Sequence, residues 1–179
     1  MDRLLDGAGE DPAVMVHIGT NDNVRGRWNA LQNDFRDLGT ILKKRTSKAV
    51  FSEMLPVPGA TPERQQELGA LNKWLRNWCR KEGFGFLENW ADFSYRYWLY
   101  TRDGLHLNEE GAALLGEKMT KKLEELQVET PPKYQRNHGN NSSSKDGGKD
   151  TGKNRQILVV GDSIIRGTER AICHKDRSR

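Results

Sequence analysis

The 179-residue chain carries 30% charged side chains, a net charge of +4 and a mean hydropathy of −0.85. That length supports one hydrophobic core and no second one, and so polar a composition leaves part of the chain without the apolar material to fold. No apolar run approaches the roughly 18 residues of a membrane span, and Met1 to Asp6 lack the apolar centre of a signal peptide, so neither feature is expected.

The charge is unevenly placed. Residues 1–127 hold 18 Lys and Arg against 19 Asp and Glu, whereas 128–179 hold 11 against 6. The basic character therefore belongs to the tail, which reads as a solvated linker before it reads as a nucleic-acid contact. Cys79 and Cys173 lie far apart without CxxC spacing, which suits reduced thiols of a cytosolic or nuclear protein; the expected localisation is cytoplasmic.

In chain order, Val14-Met15-Val16-His17-Ile18 is a nearly continuous apolar run ending in Gly19-Thr20-Asn21-Asp22, the pattern of a strand buried on both faces. Leu31, Phe35, Leu38 and Leu42 recur at helical spacing through 29–45. A short strand over 48–52 ends at the Leu55-Pro56-Val57-Pro58-Gly59 loop. Thr61 and Pro62 open a helix whose apolar face is Leu68, Leu71, Leu75 and Trp78 and which stops near Gly83. Residues 84–87 form a third strand. An aromatic stretch, Trp90 to Tyr100, leads to Asp103-Gly104-Leu105-His106-Leu107-Asn108, where Asn108 caps a helix buried through Ala112, Leu115, Met119, Leu123 and Leu126. Alternating strands and helices predict a parallel sheet covered on both faces.

From 128 to 155 the pattern gives way to a basic Gly/Ser/Asn-rich segment that cannot support a core. It returns over 156–179, where Ile157-Leu158-Val159-Val160 reads as a buried strand followed by Gly161-Asp162-Ser163 and a helix start. The division is therefore a body over 1–127, a disordered linker over 128–155 and a strand with its helix start over 156–179. A strand with nothing after it to pack against must find its partners earlier in the chain.

In open α/β sheets reactive groups gather where strands end. Ser163 sits just past a strand at a helix start, Asn21 just past another, and Asp103 and His106 three residues apart on one loop. A serine hydroxyl needs a base to become a nucleophile, and an Asp-oriented His supplies one. Singly, each of these signals is more often ordinary turn chemistry; the conjunction at strand-to-helix junctions is the informative part. The four His form no ligand cluster, His17 reads as a core residue, and Trp74, Trp78, Trp90 and Trp98 read as packing groups.

Val160-Gly161-Asp162-Ser163 resembles the first block of the SGNH (GDSL) hydrolases, Ile18-Gly19-Thr20-Asn21-Asp22 is similar to their third, and Asp103-Gly104-Leu105-His106-Leu107-Asn108 looks like their fifth. Within that family, Gly161 to Glu169, Asn72-Lys73-Trp74-Leu75 and Trp78-Cys79 resemble the esterase domain in the first open reading frame protein of chicken-repeat-type non-LTR retrotransposons. The resemblance implies a flavodoxin-like α/β/α fold and a serine esterase without metal or cofactor. It implies Ser163 as nucleophile, His106 as base, Asp103 as its orienting carboxylate, and Asn21 with the Ser163 amide as oxyanion donors. Small-molecule or lipid esters are the implied substrates.

Two features depart from the family. The serine block comes last instead of first, and the second block, with its strand and glycine donor, is missing. The expected sheet is therefore incomplete, with the nucleophile strand supplied from the C-terminus and activity weakened. As a flexible coil the 28 residues of 128–155 span roughly 30 Å, about the width of a small domain, so 156–160 is expected to insert beside 14–18 and bring Ser163 toward His106. Self-association through an exposed sheet edge is a further expectation. The alternative reading is a catalytically inactive retroelement-derived fragment or a nucleic-acid-associated accessory domain. Against the latter, the sequence shows no RNA-binding motif.

Overall fold

The computed structural model describes residues 11–18, 20, 27–128 and 157–161, with 127–128 and 157–160 given as backbone alone. Strand β1, Ala13–His17, is buried at every position, as its unbroken apolar run requires. Helix α1, Trp28–Arg45, turns Leu31, Phe35, Leu38 and Leu42 inward and ends on Lys43, Lys44 and Arg45, cations that complement the negative end of its dipole. Strand β2, Ala49–Ser52, is again wholly buried. Helix α2, Pro62–Glu82, begins where the Thr61 hydroxyl accepts from the Arg64 amide and stops at Gly83, whose φ of 78° is the left-handed conformation that glycine adopts without steric cost. Strand β3, Gly85–Leu87, is followed by the single turn α3, Trp90–Phe93, a 3₁₀ turn Tyr97–Leu99, helix α4, Glu109–Val128, and strand β4, Ile157–Gly161. The aromatic stretch is thus two short turns.

All four strands are parallel, in the order β3-β2-β1-β4. The C-terminal strand inserts beside β1 as expected, with Ala13 opposite Ile157 and His17 opposite Gly161. Alternation along the strands divides the core. Val14, Val16 and Phe51 pack with Leu42, Leu68 and Leu75 of α1 and α2; Met15, Val50 and Leu87 pack with Leu115, Met119 and Leu123 of α4. The product is a flavodoxin-like arrangement of helix, sheet and helix.

The apolar face of α2 is the expected one, with Trp78 at its margin. The buried stripe of α2 ends on Cys79, and Trp78 is only partly covered. Gly39 of α1, where any Cβ would lie 2.7 Å from the Trp78 ring, lets the indole occupy the seam between the helices while it still packs on Phe51 of the core. Asn72, on the buried side, is tolerated because its amide group donates to and accepts from the Met54 backbone, both at 2.9 Å.

Phe51 is fully buried and meets Phe35, Trp78 and Phe84 with ring centroids 6.0, 5.2 and 5.1 Å away. Phe51→Ala should therefore cost about 3–5 kcal/mol in urea unfolding, a large share of the roughly 5–15 kcal/mol of an ordinary domain. A loss below about 1 kcal/mol would show that this cluster is not the packed centre.

Candidate active site

Because every strand runs the same way, the carboxyl ends of β1, β2, β3 and β4 share one edge, where open α/β sheets place their reactive groups. The loop before α4 is fastened to that edge. Tyr100 donates its phenol hydrogen to the Pro56 carbonyl at 2.8 Å, just beyond β2. Gly104 has φ of 65°, and a Cβ there would sit 2.7 Å from the Pro58 carbonyl oxygen, so only glycine allows this approach. At the start of α2, Arg64 donates to the Thr20 carbonyl at 3.1 Å, joining the segment that follows β1.

Within the loop, an isolated bridge between Tyr100 and Leu107 and a 2.8 Å bond from the Thr101 amide to the His106 carbonyl close a tight turn. Asp103 stands at its centre. One carboxylate oxygen accepts from the Thr101 hydroxyl at 2.6 Å, the Leu105 amide at 2.9 Å and the His106 amide at 3.0 Å. The other meets His106 Nδ1 at 2.6 Å. The Thr101 hydroxyl, then His106 and the two amides hold the Asp103 carboxyl well below the usual carboxylate range. An ionised carboxylate only accepts, so Nδ1 carries the hydrogen and Nε2 of the neutral ring keeps its lone pair. That is the tautomer a general base needs. Asn108 completes the mount: its side chain accepts from the Gly111 amide at 2.9 Å, capping α4.

Beneath this edge lies a buried polar row that sequence reasoning missed. His17 Nδ1 meets the Ser52 hydroxyl at 2.9 Å, and Asn89 Nδ2 donates to the same oxygen at 2.7 Å. The Glu53 carboxylate accepts from the Asn89 and Trp90 amides, each at 2.7 Å. His17, Ser52, Glu53 and Asn89 are all buried. His17 had the outward signs of a core residue, and it is one, yet nothing local joins it to Ser52, 35 positions away; strand register does. Burial lowers the His17 pKa to about 4, so its imidazole stays neutral near pH 7.

Of the four expected site residues, the structure brings Asp103 and His106 together. Asn21 and Ser163 lie outside the described residues, one position beyond Thr20 and two beyond Gly161.

Two measurements follow from these groups. As pH falls from 6.5 toward about 4, the unfolded chain binds a proton that the folded His17 does not. Stability is then fully present above 6.5 and declines by about 3 kcal/mol across that window. Urea titrations at several pH values should show this slope, and His17→Gln should flatten it; an unchanged slope would place the proton uptake elsewhere. Asp103 should show no carboxyl titration by NMR near pH 4, and Thr101→Val should raise its midpoint toward that value. A normal midpoint in the parent protein would mean the hydrogen bonds around Asp103 do not hold in solution.

No curated protein matches the chain. Among solved structures it is similar to the esterase domain of the ORF1 protein from the zebrafish ZfL2-1 retrotransposon, at 37% identity, covering 60% of this chain and 70% of that one, with a TM-score of 0.51. A family model for GDSL-like lipases and acylhydrolases matches residues 1–114, a stretch that holds Asn21, Asp103 and His106. Together with the parallel sheet and the carboxylate-bound imidazole at its edge, that match establishes that the chain belongs to the GDSL-like lipase/acylhydrolase family.

Proposed function

We propose that the chain is a serine ester hydrolase acting on small-molecule or lipid esters, with Ser163 as nucleophile. The observation that carries this reading is the 2.6 Å His106–Asp103 contact, which leaves Nε2 free to take a proton at the edge where β1 and β4 end side by side. Those two strands lead into Asn21 and Ser163 respectively.

The Ser163 hydroxyl attacks the ester carbonyl carbon as its proton passes to His106 Nε2. The carbonyl oxygen becomes an oxyanion, held by the Asn21 side-chain amide and the Ser163 backbone N–H; a donor of this kind is worth about 10²–10³ in rate. Asp103 stabilises the imidazolium and fixes its orientation without itself taking the proton. Collapse breaks the bond to the alcohol, which leaves with the proton from His106. Water, deprotonated by the same imidazole, then releases the acid and restores the serine. The esterase domain of the zebrafish ORF1 protein supports the choice of ester chemistry.

The same reading places the protein in the cytoplasm, in keeping with Cys79, a buried free thiol whose pKa burial pushes up to about 12. Among the described residues no helix is long and apolar enough to cross a membrane. Self-association would use the outer edge of β4, the last strand in the described sheet.

A fluorophosphonate probe should label the parent protein and not Ser163→Ala. Asp103→Asn should lower kcat toward a model ester by about 10³–10⁴ while leaving KM nearly unchanged. Equal labelling of parent and variant, or of neither, removes the serine-nucleophile reading and leaves the catalytically inactive retroelement-derived alternative.

A further inference from the structure

The seam between the C-terminal halves of α1 and α2 opens into a cleft of about 690 Å³ that ester hydrolysis does not use. It lies away from the Asp103–His106 loop, since α2 starts beside Thr20 at the carboxyl edge and finishes where β3 begins. Trp74 and Trp78 stack along it, with centroids 5.8 Å apart and planes 9° from parallel. Phe84 extends the row, 5.2 Å from Trp78. All three rings are only partly covered.

Cations bracket the row. The Arg36 guanidinium stands over Trp74 at 5.5 Å and the Lys43 ammonium over Phe84 at 5.2 Å. Lys44 and Lys81 line the same cleft, both exposed; neither makes a side-chain hydrogen bond among the described residues, and Lys81 is attracted to the neighbouring Glu82 carboxylate. Glu82 is the one carboxylate in the lining among the described residues, and Lys43 already pairs with it at 2.6 Å. Helix dipoles explain why cations end α1 and α2. They do not explain a row of partly exposed rings between those cations.

We propose that this cleft binds a single-stranded polynucleotide, with bases stacked on the indole and phenyl row and phosphates paired with Arg36, Lys44 and Lys81. Aromatic platforms inside a cationic groove fit single strands because their base faces are free, whereas a duplex hides them. An acidic peptide would satisfy the cations and leave the rings without partners. A second copy of the chain would bring like charge to like charge. Arg36 is exposed, and both its contact with Trp74 and its 2.8 Å bond to the exposed Asn33 side chain are weak enough to yield to a base and a phosphate. The stretch 73–84 carries all three rings interleaved with Lys73, Arg76, Arg80 and Lys81, and pairing with α1 adds Arg36, Lys43 and Lys44 to form the cleft.

The test uses the full chain and a single-stranded adenylate oligomer of about 12 nucleotides, within the usual site size. Binding should quench tryptophan fluorescence and weaken with salt at a log–log slope of about −2, three phosphates at about 0.7 each. Lys44→Glu combined with Lys81→Glu, both solvent-facing, should weaken binding about tenfold or more. Trp74→Leu should weaken it at least about fivefold, with circular dichroism confirming that each variant folds. The proposal is overturned by absence of binding at low salt, by affinity indifferent to the lysine pair and to Trp74, by equal affinity for duplex, or by polyglutamate competing equally. None of these readouts depends on Ser163, so this inference and the esterase reading stand or fall separately.

Discussion

The central strand has two edges, and both must be hydrogen-bonded. β1 is buried on both faces, so water cannot satisfy its backbone N–H and C=O groups. β2 covers one edge, and the other is covered by a strand that starts 144 positions later, where Ile157 lies opposite Ala13. A parallel partner cannot arrive by a tight turn. The chain between them must therefore be long enough to cross over the sheet, and here it carries the other strands and helices of the domain. Order along the chain is thus less binding than completeness of the ladder.

What the ladder fixes, the loop before α4 exploits. Its conformation is overdetermined by contacts that each admit few alternatives: Gly104 against the Pro58 carbonyl, Gly111 where a Cβ would come within 2.1 Å of the Leu99 carbonyl oxygen, and Tyr100 bonded to Pro56. Asp103 then works as a hub, with four hydrogen bonds from Thr101, Leu105 and His106 converging on one carboxylate. A half-exposed imidazole on a loop would otherwise sample several rotamers. Here the backbone that carries it also binds the carboxylate that orients it.

The two ends of the domain differ in character. At the carboxyl edge the polar groups are buried and interlocked, from His17 through Ser52 and Asn89 to Glu53. Toward the C-terminal ends of α1 and α2, cations stand in solvent around partly open rings. Parallel topology produces this polarity, since every helix that returns antiparallel to the strands aims its negative end away from the sheet's carboxyl edge. Acyl chemistry and binding of an anionic chain can therefore occupy one small domain without competing for surface.

Element identity was legible locally. The apolar run 14–18, the Thr61-Pro62 start, the Gly83 stop and the Asn108 cap are each decided by side-chain chemistry within a few residues, and the spacing of Asp103 and His106 on one loop was enough to anticipate their contact. Tertiary structure decided what depends on distant partners. Trp78 settled at the margin of the buried stripe, where Gly39 of another helix left it a seam to fill, and His17 acquired Ser52 through the alignment of two strands. The basic-aromatic cleft arose only when α1 met α2. Periodicity and caps are properties of one segment and can be read there, whereas register and helix pairing depend on shape matching between segments that no local stretch of sequence contains.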